Sequence, residues 1–179
     1  MAQEDSAAPM LRKQLFVALA MVAAVAVLLF IWWQRFALPL PLPIGDDAAA
    51  RLAFAAQWLL LPGLSLFAGI ALIANRRYFV ADAIDGSPHT EDRMIQITLR
   101  YNQNTVEQMV LAAIAWAGLA LVLPYPELKL IPAMAISFAV GRVLFWIGYL
   151  IAPVARAFGF GLTAYPSFAA LIWLALRTL

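Results

Sequence analysis

The chain contains no cysteine, so disulfides, thiolate metal sites and cysteine nucleophiles are excluded. Its single histidine, His89, has no second imidazole with which to build a zinc site. Asp82, Asp85, Glu91 and Asp92 lack calcium-loop or zinc spacing, so no metal is expected. Charge is scarce: 12% of the 179 residues are Asp, Glu, Lys or Arg, against about 25% in a soluble domain. Lysine is rarest, with Lys13 and Lys129 alone beside ten arginines. The basic residues are scattered and the formal net charge is only +2, which is no footprint for nucleic acid. Hydrophobic residues make up 65% of the chain, the composition of a polytopic membrane protein.

Charge-free apolar runs occur at Leu15 to Trp33, Leu52 to Ala74 and Phe158 to Leu176. Two more, Val106 to Leu123 and Leu130 to Ile151, carry one ionisable residue each. Each is near the roughly 20 residues that a bilayer requires, so five spanning helices and an all-α integral membrane fold are expected. The first run is longer than a signal-peptide core and no small-x-small cleavage site follows, which makes it a retained anchor. After it, Ala37-Leu38-Pro39-Leu40-Pro41-Leu42-Pro43 alternates proline and cannot be helical; it reads as an extended spacer. Residues 1–50 thus form an anchor and spacer, and residues 51–179 a four-helix transmembrane domain.

The longest polar loop runs from Asn75 to Arg93, and Thr90 is placed to cap a helix from about Glu91 to Leu123. Pro124-Tyr125-Pro126 ends that helix, and the short link makes the next one its antiparallel neighbour. With the amino terminus inside, Arg12, Lys13, Arg76, Arg77, Arg93, Arg100 and Arg156 lie inside, against Arg35, Arg51, Lys129 and Arg177 outside. The positive-inside rule therefore places the amino terminus in the cytoplasm. The excess of arginine over lysine, with abundant alanine, points to a GC-rich bacterial source and so to an inner membrane.

Polar residues within these spans need a reason. Arg100, Asn104 and Glu107 share one helical face, at i, i+4 and i+7, and Arg142, Tyr149 and Arg156 recur at seven-residue spacing in a later span. Lipid-facing charge is costly, so two such stripes imply an internal pocket. Counting about 1.5 Å per residue from Arg93 and Arg156 sets Arg100 level with Tyr149, and Glu107 level with Arg142. Glu107 is therefore expected to neutralise Arg142 across the helix pair. Gly141, Gly148 and Ala155 run one position earlier and offer a seam for another helix. Plainer readings stand beside these: Glu107 and Arg142 as register-fixing charges, Arg156 as a snorkelling interfacial residue, Tyr149 as a core aromatic.

These residues resemble the MAPEG family, the membrane-associated proteins of eicosanoid and glutathione metabolism, whose hallmark is Arg-x3-Asn-x2-Glu. Here that is Arg100-x3-Asn104-x2-Glu107; Ala74-Asn75-Arg76-Arg77 is similar to a family element ending the preceding helix, and Gly148-Tyr149 reproduces a Gly-Tyr pair within the Arg142, Tyr149, Arg156 series. The resemblance covers about Leu52 to Leu179, leaving the first span without a counterpart. It implies a four-helix bundle preceded by one extra transmembrane helix, assembled as a homotrimer with glutathione bound between subunits near the cytoplasmic surface. By position, Arg100, Asn104, Glu107 and Tyr149 would contact glutathione, Arg76 or Arg77 would reach across the interface, and Arg156 would face the sulfur as the catalytic residue. Gln108 and Phe145 depart from the pattern, standing where some members carry aromatic residues that include a tyrosine on glutathione. The leading expectation is a membrane glutathione transferase or peroxidase acting on hydrophobic electrophiles or lipid hydroperoxides. The alternative is a non-catalytic member that binds lipid or serves as an accessory subunit, docking a membrane partner through the first helix. A small transporter fits less well, since internal repeats and broken-helix pairs are lacking.

Overall fold

Aspartates and prolines set the helix limits. The computed structural model describes residues 4–81, 83–86 and 91–178. Helix α1 spans Glu4–Trp33, and the proline-alternating stretch after it has no regular structure beyond Leu38, as its missing amides dictate. That stretch is anchored: the Tyr125 hydroxyl donates to the Pro43 carbonyl at 2.6 Å, and Lys129 Nζ donates to the Leu38 carbonyl at 3.3 Å.

Asp47 caps α2 (Ala48–Trp58), its Oδ1 accepting the amides of Ala49 and Ala50 at 3.0 Å. The apolar run expected as one span is broken at Leu59, after which α3 runs over Leu60–Tyr78. Pro62 is the cause: it has no amide for the Trp58 carbonyl four residues back, and its ring crowds that carbonyl. The two pieces together still form one crossing, Ala48–Tyr78.

Helix α4, Arg93–Val122, begins on Asp92, whose Oδ1 accepts the Ile95 amide at 3.0 Å. The cap is therefore two residues later than the expected Thr90, which lies outside the described residues. Asp92 also accepts from Arg76 at 2.9 Å, tying the end of α3 to the start of α4. The Ile95 amide and then the Arg76 guanidinium stabilise its charged form and hold its carboxyl below the usual carboxylate range. At the far end, Arg51 Nη1 donates to the Ala120 and Leu123 carbonyls at 3.1 and 2.8 Å, a cation on the negative end of α4.

A 3-10 turn at Tyr125–Lys129 leads into α5, Leu130–Ile151, and α6 follows over Ala157–Thr178. Helices α5 and α6 cross where Gly141 meets Gly159: a Cβ on Gly141 would lie 2.8 Å from Thr163 Cγ2 and 2.9 Å from the Gly159 carbonyl oxygen. The seam expected at Gly141 and Gly148 is thus occupied by α6 and the turn before it. Pro166 sits inside α6 and frees the Leu162 carbonyl, which accepts the Ser137 hydroxyl of α5 at 3.2 Å.

Among the described residues, five helical stretches are long and apolar enough to cross a membrane: Met10–Trp33, Ala48–Tyr78, Arg93–Val122, Tyr125–Ile151 and Ala157–Arg177. The last four form the bundle, with Trp116, Phe138 and Ile131 in its core. The first lies outside, meeting α6 where Ala24 packs on Gly161.

Candidate functional site

The two polar stripes converge at the end of the bundle that carries Arg76, Arg93 and Arg156. Antiparallel α4 and α5 bring Arg100 and Tyr149 level, and Arg100 Nη1 donates to the Tyr149 hydroxyl at 2.9 Å. Arg93 Nη2 donates to the Leu150 carbonyl at 2.9 Å and pins the same two helices closer to the surface. Tyr149 is buried and stacks on Phe145, ring centroids 6.1 Å apart at 22°. Arg156, in the turn before α6, is exposed and lies over Tyr149 with its Cζ 4.8 Å from the ring centroid. On the other side of the stack, the Arg142 Cζ lies 4.6 Å from the Phe145 centroid.

Arg142 is fully buried. Its Nη1 donates to Asn104 Oδ1 at 2.8 Å and its Nη2 to the hydroxyl of Thr163 on α6, which in turn donates to the Phe160 carbonyl at 2.9 Å. Its Nε has no partner. The expected ion pair with Glu107 is therefore corrected within the chain: Glu107 is exposed and accepts from Gln103 Nε2, four residues back, at 2.9 Å. Two physical reasons combine. Glu107 is offset by about 60° from Asn104 around the helix, which turns it off the α5 side. The guanidinium stem also spans about one helical turn, so equal depth of Cα atoms does not fix its partner.

The remaining sequence candidates separate. Arg76 is held by Asp92 within the chain, whereas Arg77 is half-buried. Tyr101 and Thr163 join the site without having stood out in the sequence, and Phe145, there only a departure from the family pattern, joins it as well. Tyr101, buried against Phe145 at 6.2 Å between ring centroids, donates its hydroxyl to the Ser65 carbonyl at 3.0 Å and locks α4 to α3. Thr163 accepts Arg142, and Phe145 separates Arg142 from Arg156. Thr163 and Ser167, polar and four apart in an apolar span, are the pattern that could have pointed to Thr163.

Chemically the arrangement is cationic. Among the described residues, the ion pairs are Arg51 with Asp46 and Arg76 with Asp92, so Arg100, Arg142 and Arg156 have no carboxylate partner. Three guanidiniums on an aromatic stack favour an anion, and in low-dielectric surroundings their attraction for it is weakly screened.

Fold and side-chain arrangement define an integral membrane helical bundle with a cationic cluster at one end. The chain belongs to the MAPEG family, whose profile matches residues 52–178. Transmembrane protein 79 of Mus musculus is 34% identical over 115 residues, covering 64% of this chain and 26% of that protein. Its Bos taurus counterpart is 32% identical over 88 residues, covering 49% of this chain and 22% of the relative. The chain thus matches about a quarter of the length of these curated relatives. No solved structure matches it. Helix α1 and the proline-rich stretch lie outside the family region.

Proposed function

We propose that the protein is a membrane glutathione transferase or peroxidase, a homotrimer that binds glutathione between subunits and activates its thiol. The observation that carries this reading is the gathering of Arg100, Arg142 and Arg156, none with a carboxylate partner among the described residues, on the Tyr149 and Phe145 rings. Glutathione offers two carboxylates and a thiol that becomes an anion, a charge set these cations complement. Arg100, Asn104 and Tyr149 would bind the peptide, and exposed Glu107 would meet its ammonium. Arg77 becomes the better candidate to reach from the neighbouring subunit, because Arg76 is engaged by Asp92. Arg156, exposed at the outer edge of the stack, would stabilise the sulfur.

A thiol with the reference pKa of about 8.5 is only a few per cent ionised at neutral pH. Lowering that pKa by about two units requires roughly 2.7 kcal/mol of preferential thiolate binding, within reach of a guanidinium in a partly desolvated site. The thiol proton passes to solvent. The sulfur then bonds to an electrophilic carbon as the leaving group departs with its electron pair, or attacks a hydroperoxide oxygen as the O–O bond breaks, with a second glutathione completing the reduction. The basic excess at this end supports a cytoplasmic site, and arginine usage supports a bacterial inner membrane.

A non-catalytic lipid-binding or accessory role is the second reading, favoured by α1, which the family region does not include. Turnover separates the two. The detergent-purified trimer should conjugate glutathione to a reference aryl halide or reduce a lipid hydroperoxide. A folded trimer that binds glutathione and does neither supports the accessory role, and a stable monomer that binds it rules out a shared site.

A further inference from the structure

Helix α1 does more than add a crossing. Together with α5 and α6 it encloses a groove of about 750 Å³, inside the range of pockets that hold small organic ligands. Val25, Leu29 and Trp32 of α1 form one wall, and Ala133 and Ala169 lie on the opposite one. The groove is lined by none of Arg100, Arg142 and Arg156: its deep end reaches Ser137, which is 12 residues, about 18 Å, along α5 from Tyr149 and five residues, about 8 Å, from the buried Arg142.

Three observations identify an occupant. Along α6 the groove runs from Tyr165 to Arg177, again 12 residues and about 18 Å, close to the roughly 15 Å depth of one leaflet's hydrocarbon. Apart from Ser137, whose hydroxyl is already spent on the Leu162 carbonyl, and the Tyr165 ring, the intramembrane part is apolar. The charges that line it, Arg177 near the end of α6 and Glu127 in the turn before α5, belong to its mouth. Arg177 is exposed and lies over the Trp173 ring, with its Cζ 4.8 Å from the centroid, in the interfacial position where arginine and tryptophan meet headgroups.

We propose that this groove is a lipid site that takes one acyl chain of a phospholipid from the leaflet on the Arg177 side, with the headgroup phosphate against Arg177. The lipid would serve as a third wall component, filling the gap that the groove leaves between α1 and the bundle. The site needs α1, so it belongs to this chain's addition to the family region and not to the shared bundle.

Native mass spectrometry of the full-length protein after exhaustive washing in lipid-free detergent tests the assignment. Palmitoyl-oleoyl phosphatidylethanolamine or phosphatidylglycerol is then added back in steps. One phospholipid per chain is expected to survive washing, while loosely held lipid is lost progressively. Ala133→Phe or Ala169→Phe, each filling the groove, should abolish that retained adduct, and Arg177→Gln should weaken re-binding about fivefold. Circular dichroism and oligomer mass confirm that each variant is folded. Loss of all lipid from the wild type overturns the proposal, as does retention undiminished in both filling variants, or a retained free fatty acid in place of a phospholipid.

Discussion

Replacing Asn104 with Leu removes the only side-chain oxygen on α4 that accepts from the buried Arg142. The lost interaction is a hydrogen bond to a charged group, generally about 1.5–3 kcal/mol, but interhelical hydrogen bonds in membranes reach only about 1.7 at most. The two ranges overlap near 1.5 kcal/mol, which we take as the Asn104–Arg142 coupling. Thr163 retains its own bond to the guanidinium, so the loss is partial and the variant should fold. For a chain of this size that corresponds to a fall in Tm of about 3–6 °C. The assay is a double-mutant cycle of Asn104→Leu and Arg142→Leu by thermal unfolding in mild detergent, with Glu107→Gln and Arg142→Leu as the parallel cycle. The second cycle should show coupling below about 0.5 kcal/mol, because Glu107 is exposed and bonded to Gln103. A Glu107–Arg142 coupling equal to or above that of Asn104–Arg142 would refute the arrangement.

Three further outcomes follow from the same geometry. Ser137→Ala should cost about 0.6 kcal/mol by stranding the Leu162 carbonyl, and Pro166→Ala should rescue it by restoring the amide that carbonyl lacks; equal effects of Ser137→Ala with and without the proline would disprove the link. Asp92→Ala should cost about 1 kcal/mol as a lost helix cap, and because the Asp92 carboxyl is depressed in the folded protein, its contribution is full above the unfolded pKa near 4 and disappears as pH falls through the lower folded value. A variant whose stability runs parallel to wild type across that acid range contradicts the cap. Arg156→Leu should lower turnover far more than glutathione affinity, whereas Arg100→Leu should mainly weaken binding, read as a split between kcat and KM.

The pairing of helices was legible wherever spacing and chemistry agreed. Seven-residue recurrence from Arg142 to Arg156, counted against Arg100 at a fixed rise, placed Arg100 beside Tyr149, and the two are hydrogen-bonded. Five crossings were legible because charge is nearly absent from them. Side-chain reach defeated the same arithmetic at Arg142, where a long guanidinium stem chose Asn104 and Thr163 over Glu107. Thr163 was overlooked, since its pairing with Ser167 four residues on is a short polar signal in an otherwise apolar helix. The break at Leu59 was hidden by an uninterrupted apolar run, although Pro62 carried the signal. The packing of α1 on α6 includes the close Ala24–Gly161 approach, which no local pattern marks as a contact across the chain.

The central claim of the proposed function is that the cationic cluster stabilises a glutathione thiolate. Stopped-flow absorbance of the purified protein mixed with saturating glutathione at neutral pH tests it most directly. The account predicts an ultraviolet thiolate band equal to the number of occupied sites, lost in Arg156→Leu while glutathione remains bound. Bound glutathione without any thiolate band in the wild type would contradict it.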